Sequence, residues 1–320
     1  MPAELSPPEP IRVRVVGARL EADGVRSFAL ADETGADLPE WDAGAHIDVL
    51  IPGGLVRQYS LCGDPADRGN WRIAVLREEE SRGGSAHLHD EVGIGSILEV
   101  REPRNNFQLD SAPHYLFIAG GIGITPLLPM INAAESRNAQ WQLHYGGRQR
   151  SRMAFLDELA GHQDRVSVVP QDERGLLPLD AILDQAPEEA LVYCCGPEAL
   201  LDAVENAWTG KPDALHVERF RPRTTTTTPE EEVPFEVVVQ SSGRSVEVRP
   251  GVSILDALAR AGMEMPSSCR EGTCASCETT VVEGAVDHRD SVLTAQEKDA
   301  GKTMMICVSR ARSGRLILDI

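Results

Sequence analysis

Four cysteines carry the most specific chemistry in this sequence. Cys269, Cys274 and Cys277 are spaced C-x4-C-x2-C, and Cys307 lies well downstream. A [2Fe-2S] cluster needs four thiolates on two irons, and a tight loop bearing three of them plus one from a distant segment meets that need. Ser267, Ser268, Gly272, Thr273, Ala275 and Ser276 are small. They let the loop fold close and offer N–H and hydroxyl donors to the sulfurs, which tunes the potential. Structural zinc is the alternative, but zinc sites usually present paired C-x2-4-C or Cys/His ligands rather than such a triplet.

Glycine-rich turns supply a second kind of chemistry. Gly120-Gly121-Ile122-Gly123-Ile124-Thr125-Pro126 follows the apolar run Tyr115–Ala119, and Cys195-Gly196-Pro197 ends another apolar run; each then opens a helical pattern. Such turns let a pyrophosphate approach backbone N–H groups and a helix N-terminus. A lone turn of this kind has many false positives; here there are two. Arg82-Gly83-Gly84-Ser85, before a helical pattern at 86–91, suits a phosphate and reads equally as an ordinary turn. His87 and His89 stand at i, i+2, on different helix faces, which favours solvent or local hydrogen bonds over metal. Arg57-Gln58-Tyr59-Ser60 places a cation, an aromatic ring and a hydroxyl on one strand; alone it also reads as an edge strand with an exposed arginine and a core tyrosine. Cys62 and Cys194 read as small buried apolar residues.

The elements that must position these groups fall into three runs. Before residues 108–114, short β-rich segments (11–16, 26–29, 46–51, 58–61, 71–76 and 97–101) separated by glycine and proline turns predict an antiparallel barrel or sandwich. Beyond them, strand patterns at 115–119, 142–145, 165–169 and 191–194 alternate with helical patterns at 126–135, 153–161, 179–185 and 198–209, predicting a parallel sheet covered by helices. Arg221–Glu232, RPRTTTTTPEEE, then reads as a linker, which extended would span at most roughly 40 Å. Free motion and a pinned surface path are equally open. After it come strands at 235–240 and 245–249 and a helix at 254–261, with no internal repeat.

With these motifs in place, residues 233–320 resemble a plant-type ferredoxin of β-grasp fold, and Arg57-Gln58-Tyr59-Ser60 matches the R-x-Y-S strand of the ferredoxin-NADP reductase superfamily. The whole chain resembles the phthalate dioxygenase reductase family, which includes vanillate demethylase reductase components. The resemblance implies a multi-domain β and α/β protein. An antiparallel Greek-key FMN-binding β-barrel would span 1–110, a Rossmann-like NAD-binding α/β domain 111–222, a linker 223–232 and a [2Fe-2S] ferredoxin 233–320. It implies that Arg57, Gln58, Tyr59, Ser60, Arg82, Gly83, Gly84 and Ser85 hold FMN, with Arg57 on the phosphate and Ser60 near the reactive ring nitrogen. Gly120, Gly121, Gly123, Thr125, Cys195, Gly196 and Pro197 would frame NADH, with Cys195 near the nicotinamide. Phe220, in His216-Val217-Glu218-Arg219-Phe220, would cover the flavin face that nicotinamide enters. Ser60, Cys195 and Phe220 would act at the reacting centre by positioning rather than by acid–base chemistry.

The implied function solves an electron-counting problem: nicotinamide gives two electrons as hydride, a [2Fe-2S] cluster takes one at a time, and a flavin converts between them. The expected path runs from NADH through FMN and the cluster to a terminal oxygenase, expected to be a Rieske non-haem iron protein. A haem-thiolate monooxygenase as acceptor is one alternative; a ferredoxin-like carrier on a docking scaffold is another. NADH is expected over NADPH, although Arg148, Arg150 and Arg152 offer cations for a 2′-phosphate.

Composition bounds all of this. With 320 residues, 42% of them apolar and 25% charged, the chain is long enough for two or three globular domains. Seven cysteines, an odd number, argue for reduced thiols or metal ligation in the cytoplasm rather than a disulfide framework. A net charge of −19 disfavours nucleic acid as a partner. The polar start, residues 1–10, lacks a signal-peptide pattern. The apolar run 115–131 is broken by glycines and prolines, so no membrane partner is expected.

Overall fold

The computed structural model describes residues 9–79, 83–162, 164–223 and 232–320. Arg82, residues 224–231 of the linker and residues 1–8 of the proline-rich start lie outside them. The described chain forms two compact units, Glu9–Glu218 and Arg219–Ile320.

The first unit begins with β1 (Ile11–Ala22), β2 (Val25–Asp32), β3 (His46–Ile51), β4 (Leu55–Ser60) and β5 (Trp71–Leu76), then α1 (Gly84–Asp90) and β6 (Ile97–Val100). These strands make one antiparallel sheet in the order β4-β3-β6-β1-β2-β5, and a bridge between Leu61 and Ile73 joins its two ends into a barrel. Alternation explains the inside: in β1, Val13 and Val15 are buried while Arg12 and Arg14 face outward. Phe28, Leu30, Ile47, Trp71 and Ile73 complete the centre of the core. Each such aliphatic or phenylalanine side chain contributes about 1.5–3 kcal/mol relative to exposure.

The same unit continues with β7 (His114–Gly120), α2 (Leu127–Ser136), β8 (Gln140–Gly147), α3 (Leu156–Leu159), β9 (Val166–Pro170), α4 (Gln171–Arg174), α5 (Leu179–Asp184), β10 (Ala190–Cys195), α6 (Glu198–Ala207) and β11 (Leu215–Glu218). The strands are parallel in the order β11-β10-β7-β8-β9. The helix expected at 153–161 is reduced to the four residues of α3. Phe155 takes the left-handed conformation (φ 63°), which stops an α-helix from running back through it, while Met153 and Ala154 stay buried. Between Gly120 and α2 the chain makes a 3-10 turn over Gly121–Ile124 before the helix begins.

The segment joining the barrel to the parallel sheet is fastened by two phenols. Tyr193 accepts from Asp110 N–H at 2.9 Å and donates to Gln108 O at 3.1 Å. Tyr115 donates to Asp110 O at 2.8 Å and accepts from Ala112 N–H at 2.9 Å. Phe107 packs edge-on against Tyr193 with ring centroids 5.4 Å apart.

The second unit contains β12 (Phe235–Val239), β13 (Ser245–Val248), α7 (Ile254–Arg260), β14 (Glu278–Glu283), β15 (Val286–Asp287), α8 (Ala295–Ala300), β16 (Thr303–Met305), β17 (Arg310–Ala311) and β18 (Arg315–Leu318). Its mixed sheet runs β13-β12-β18-β14-β16, with β12 and β18 parallel, in a β-grasp arrangement. Ser253 caps α7 by accepting from Asp256 N–H at 3.0 Å, and the helix buries Ile254, Leu255, Ala257 and Leu258. Glu232 ties the start of this unit down: it accepts from Gly251 N–H at 2.8 Å and pairs with Arg289 and Arg310.

Candidate functional site

Three constellations emerge, two in the first unit and one in the second. In the barrel, strand alternation sets Arg57 and Tyr59 on one face of β4 and Gln58 on the other. Gln58 is not brought to their side: its amide donates to Asp48 Oδ1 at 3.2 Å, and buried Asp48 in turn forms a two-pronged pair with Arg104 at 2.6 and 3.0 Å. Gly83 is left-handed (φ 103°), and α1 starts at Gly84, two residues before the sequence pattern suggests. A Cβ on Gly84 would lie 2.6 Å from Arg57 Cγ, so the loop and the arginine stem form one cradle that a side chain would fill. Ser85 Oγ accepts from Glu78 N–H at 3.1 Å. Burial pushes the Tyr59 phenol well up, keeping it neutral. Ser60 Oγ is buried and has no hydrogen-bond partner among the described residues. By the same alternation Ser60 shares Gln58's face, so the fit to a planar, phosphorylated cofactor rests on the face of Arg57 and Tyr59 beside the Gly84 cradle. His89, the ambiguous histidine, bonds Val75 O at 2.9 Å and serves the fold.

In the parallel sheet, the order of connection reverses at β7: β8 and β9 follow on one side, β10 and β11 on the other. Ligands of such sheets lie outside the carboxyl ends at that reversal. The two glycine turns meet there. A Cβ on Gly123 would overlap the Cys195 carbonyl and lie 2.7 Å from Gly196 N; one on Gly196 would lie 2.9 Å from Gly120 Cα; one on Gly120 would lie 2.6 Å from Pro197 Cδ. Only bare backbone lets the turns approach this closely, leaving a crevice edge open to a pyrophosphate. Thr125 is buried, its hydroxyl donating to Ile122 O at 3.0 Å, which fixes the turn rather than leaving the group loose.

The structure adds Glu218, which sequence reasoning passed over. It partners Cys195 in register at the ends of β11 and β10, and the buried Cys195 thiol donates to its Oε2 at 3.8 Å. Burial pushes the Glu218 carboxyl up to about 8, and burial together with this carboxylate pushes Cys195 higher still. Cys195 is therefore a neutral thiol and Glu218 holds a proton at neutral pH. A native carboxyl that keeps its proton while the unfolded chain has lost it favours the fold below the unfolded value, and that contribution is lost as pH rises through about 8. The melting temperature of Glu218→Gln should therefore gain on wild type between about pH 5 and about pH 8. A constant difference across that range would show a carboxyl of ordinary acidity.

In the second unit, Cys269, Cys274 and Cys277 lie on one loop, and Cys307 follows β16. Three left-handed residues, Arg270 (φ 57°), Gly272 (φ 72°) and Ala275 (φ 57°), coil that loop. The coiling aims N–H groups inward: Glu271 and Thr273 donate to Cys269 Sγ at 3.3 and 3.5 Å, and Cys269 to Cys274 Sγ at 3.4 Å. Ile306 N–H donates to Cys277 O at 3.4 Å, which lays Cys307 beside Cys277. Hydrogen bonds from the Cys274 and Cys307 thiols hold Cys269 far below the ordinary thiol range, and Cys307 likewise lowers Cys277. Cys269 lies within hydrogen-bonding reach of the Cys274 and Cys307 thiols, and Cys277 of Cys307, with N–H donors around them, which fits four thiolates gathered on two irons. No disulfide joins any of the seven cysteines, and Cys62 and Cys194 are buried. Phe220, at the start of this unit, is 42% exposed and so is not the core residue that a strand-end phenylalanine commonly is. No helix among the described residues is long and apolar enough to cross a membrane.

Residues 237–312 match the 2Fe-2S iron-sulfur cluster binding domain, and residues 117–206 the oxidoreductase NAD-binding domain. The chain is 47% identical over 314 residues to the phenoxybenzoate dioxygenase subunit beta of Ectopseudomonas oleovorans, covering 97% of this chain and 98% of that one. It is 37% identical to the crystal structure of phthalate dioxygenase reductase, described as a modular structure for electron transfer from pyridine nucleotides to [2Fe-2S], with a TM-score of 0.70 and coverage of 97% and 98%. It is also 44% identical, with a TM-score of 0.90, to part of an intact type IV self-sufficient cytochrome P450 monooxygenase; 97% of this chain is covered, but only 41% of that longer protein. The chain thus belongs to the phthalate dioxygenase reductase family: it is an oxidoreductase, the reductase component of an oxygenase system, and its cofactors are NADH, FMN and a [2Fe-2S] cluster.

Proposed function

We propose that this protein passes electrons from NADH, through FMN and the [2Fe-2S] cluster, to a terminal oxygenase of the Rieske non-haem iron type. The observation that carries the oxygenase reading is the match along nearly its whole length to a dioxygenase subunit and to phthalate dioxygenase reductase. We assign three domains to the task, with boundaries at 1–110, 111–222 and 233–320 and a linker over 223–232. Bound flavin supplies the conversion from hydride to single electrons. Arg57, with Gly83, Gly84 and Ser85, neutralises and cradles its phosphate; Tyr59 packs along it; Ser60, at the end of the strand, stands near the reactive ring nitrogen. Gly120, Gly121, Gly123 and Thr125 admit the nucleotide pyrophosphate. Cys195, Gly196 and Pro197 set the nicotinamide end, where the neutral Cys195 thiol adds no charge. Cys269, Cys274, Cys277 and Cys307 ligate the cluster. No side chain in this scheme gives or takes a proton from a substrate.

A haem-thiolate acceptor is the second reading, supported by the P450 likeness. Mixing the NADH-reduced protein anaerobically with a purified Rieske aromatic-ring oxygenase, and separately with a bacterial P450 haem domain, separates the two. Rapid bleaching of the Rieske centre is expected. Reduction of the haem alone would transfer the assignment to the second reading.

A further inference from the structure

Two loops leave the carboxyl edge of the parallel sheet beyond β7: residues 148–152 after β8, and α4 after β9. Gly147 partners Pro170 across these adjacent strands, and Asp172 N–H donates to Arg148 O at 3.2 Å, so the loops are laced together. With its pyrophosphate at Gly120–Thr125, a dinucleotide reaching toward β8, the neighbouring strand, would bring its adenosine ribose to this pair of loops. At such a place an acid favours a free 2′-hydroxyl, whereas an arginine accommodates a 2′-phosphate.

Arg150 is already engaged. Its Nε and Nη2 donate to the two oxygens of Glu173 at 3.0 and 2.7 Å, a two-pronged geometry of the kind a phosphate would use. Arg152, the next cation, pairs with Glu79 at 3.5 Å. We propose that Glu173 makes the protein select NADH over NADPH, by occupying the fork of Arg150 and by holding negative charge where a 2′-phosphate would have to sit. This rests on the assignment of the Gly120–Thr125 crevice to NADH.

The pair is about half exposed, with side chains 50% and 45% accessible, so it is too weak to lock the arginine by itself. Discrimination comes from both effects acting together: the phosphate must displace the carboxylate and remain beside it. Without the negative charge on residue 173, Arg150 is free to make charge-assisted bonds to the 2′-phosphate.

The test is calorimetric titration of the flavin- and cluster-loaded protein with adenosine 2′,5′-bisphosphate and adenosine 5′-monophosphate, which differ only in the 2′-phosphate. Glu173→Gln should shift the affinity ratio about tenfold toward the bisphosphate, one charge-assisted hydrogen bond being the scale of the gain. The double variant Arg150→Ala/Glu173→Gln should lose that shift. Stopped-flow flavin reduction by NADPH relative to NADH should move in parallel. An unchanged ratio in Glu173→Gln, or a shift that persists in the double variant, overturns the proposal. Wild-type protein that neither binds the monophosphate nor is reduced by NADH overturns the underlying site assignment, a different result from an immobile ratio.

Discussion

Cys274→Ser should abolish NADH-driven reduction of cytochrome c while leaving the bleaching of the flavin by NADH at its wild-type rate. Cys274 is buried, accepts the Cys269 N–H at 3.4 Å, and contacts Ser276 Oγ at 3.2 Å. A serine hydroxyl is harder and far less acidic than a thiol, so the cluster loses one of its four thiolate ligands. The loss belongs to the unit Arg219–Ile320, whereas the flavin and nucleotide constellations belong to Glu9–Glu218. Stopped-flow at the flavin band and a steady-state cytochrome c assay read the two stages separately. Persistent cytochrome c reduction would remove Cys274 from the ligand set. Loss of flavin reduction as well would mean that the cluster holds the whole chain together.

Gly123→Ala should cut the rate of flavin reduction by NADH about a hundredfold, the scale of a misplacement near 1 Å. Its Cβ would overlap the Cys195 carbonyl and stand 2.7 Å from Gly196 N, and both obstacles are backbone, which cannot rotate away. The two turns must separate, moving Cys195 with them, at an overpacking cost of about 1–3 kcal/mol. Reduction of the flavin by dithionite bypasses the nucleotide and should be unaffected, which distinguishes a displaced crevice from an unfolded protein. A normal NADH rate in folded Gly123→Ala protein would place the nucleotide elsewhere.

Much of this was legible in the residues, and the failures have physical causes. β3 and β5 coincide with the segments 46–51 and 71–76 because both are short β-rich runs bounded by turns. β1 runs on to Ala22, six residues beyond its apolar alternation, because irregularities between Val15 and Gly17 and between Leu20 and Ala22 shift which face each residue presents. The helical pattern at 153–161 failed where Phe155 turned left-handed, a tertiary demand that no local propensity announces. Asp48 looks like a surface acid on a strand, yet it is fully buried, because its partner Arg104 comes from a loop 56 residues away. Glu218 was passed over for a similar reason: an acid at a strand end reads as solvated until the register sets it against Cys195. The cluster loop was the clearest signal, since the thiol spacing is dictated by the group it holds rather than by the fold.

The fastening of residues 107–112 by Tyr115 and Tyr193 has a consequence for building chimaeras. A graft joined at residue 110 severs three hydrogen bonds and an aromatic contact, so a foreign nucleotide half arrives without the grip that aligns it with its barrel. A seam at Glu218 and Arg219 follows the natural division between the two compact units. Swapping everything after that seam would exchange the outlet for electrons while the inlet stays intact.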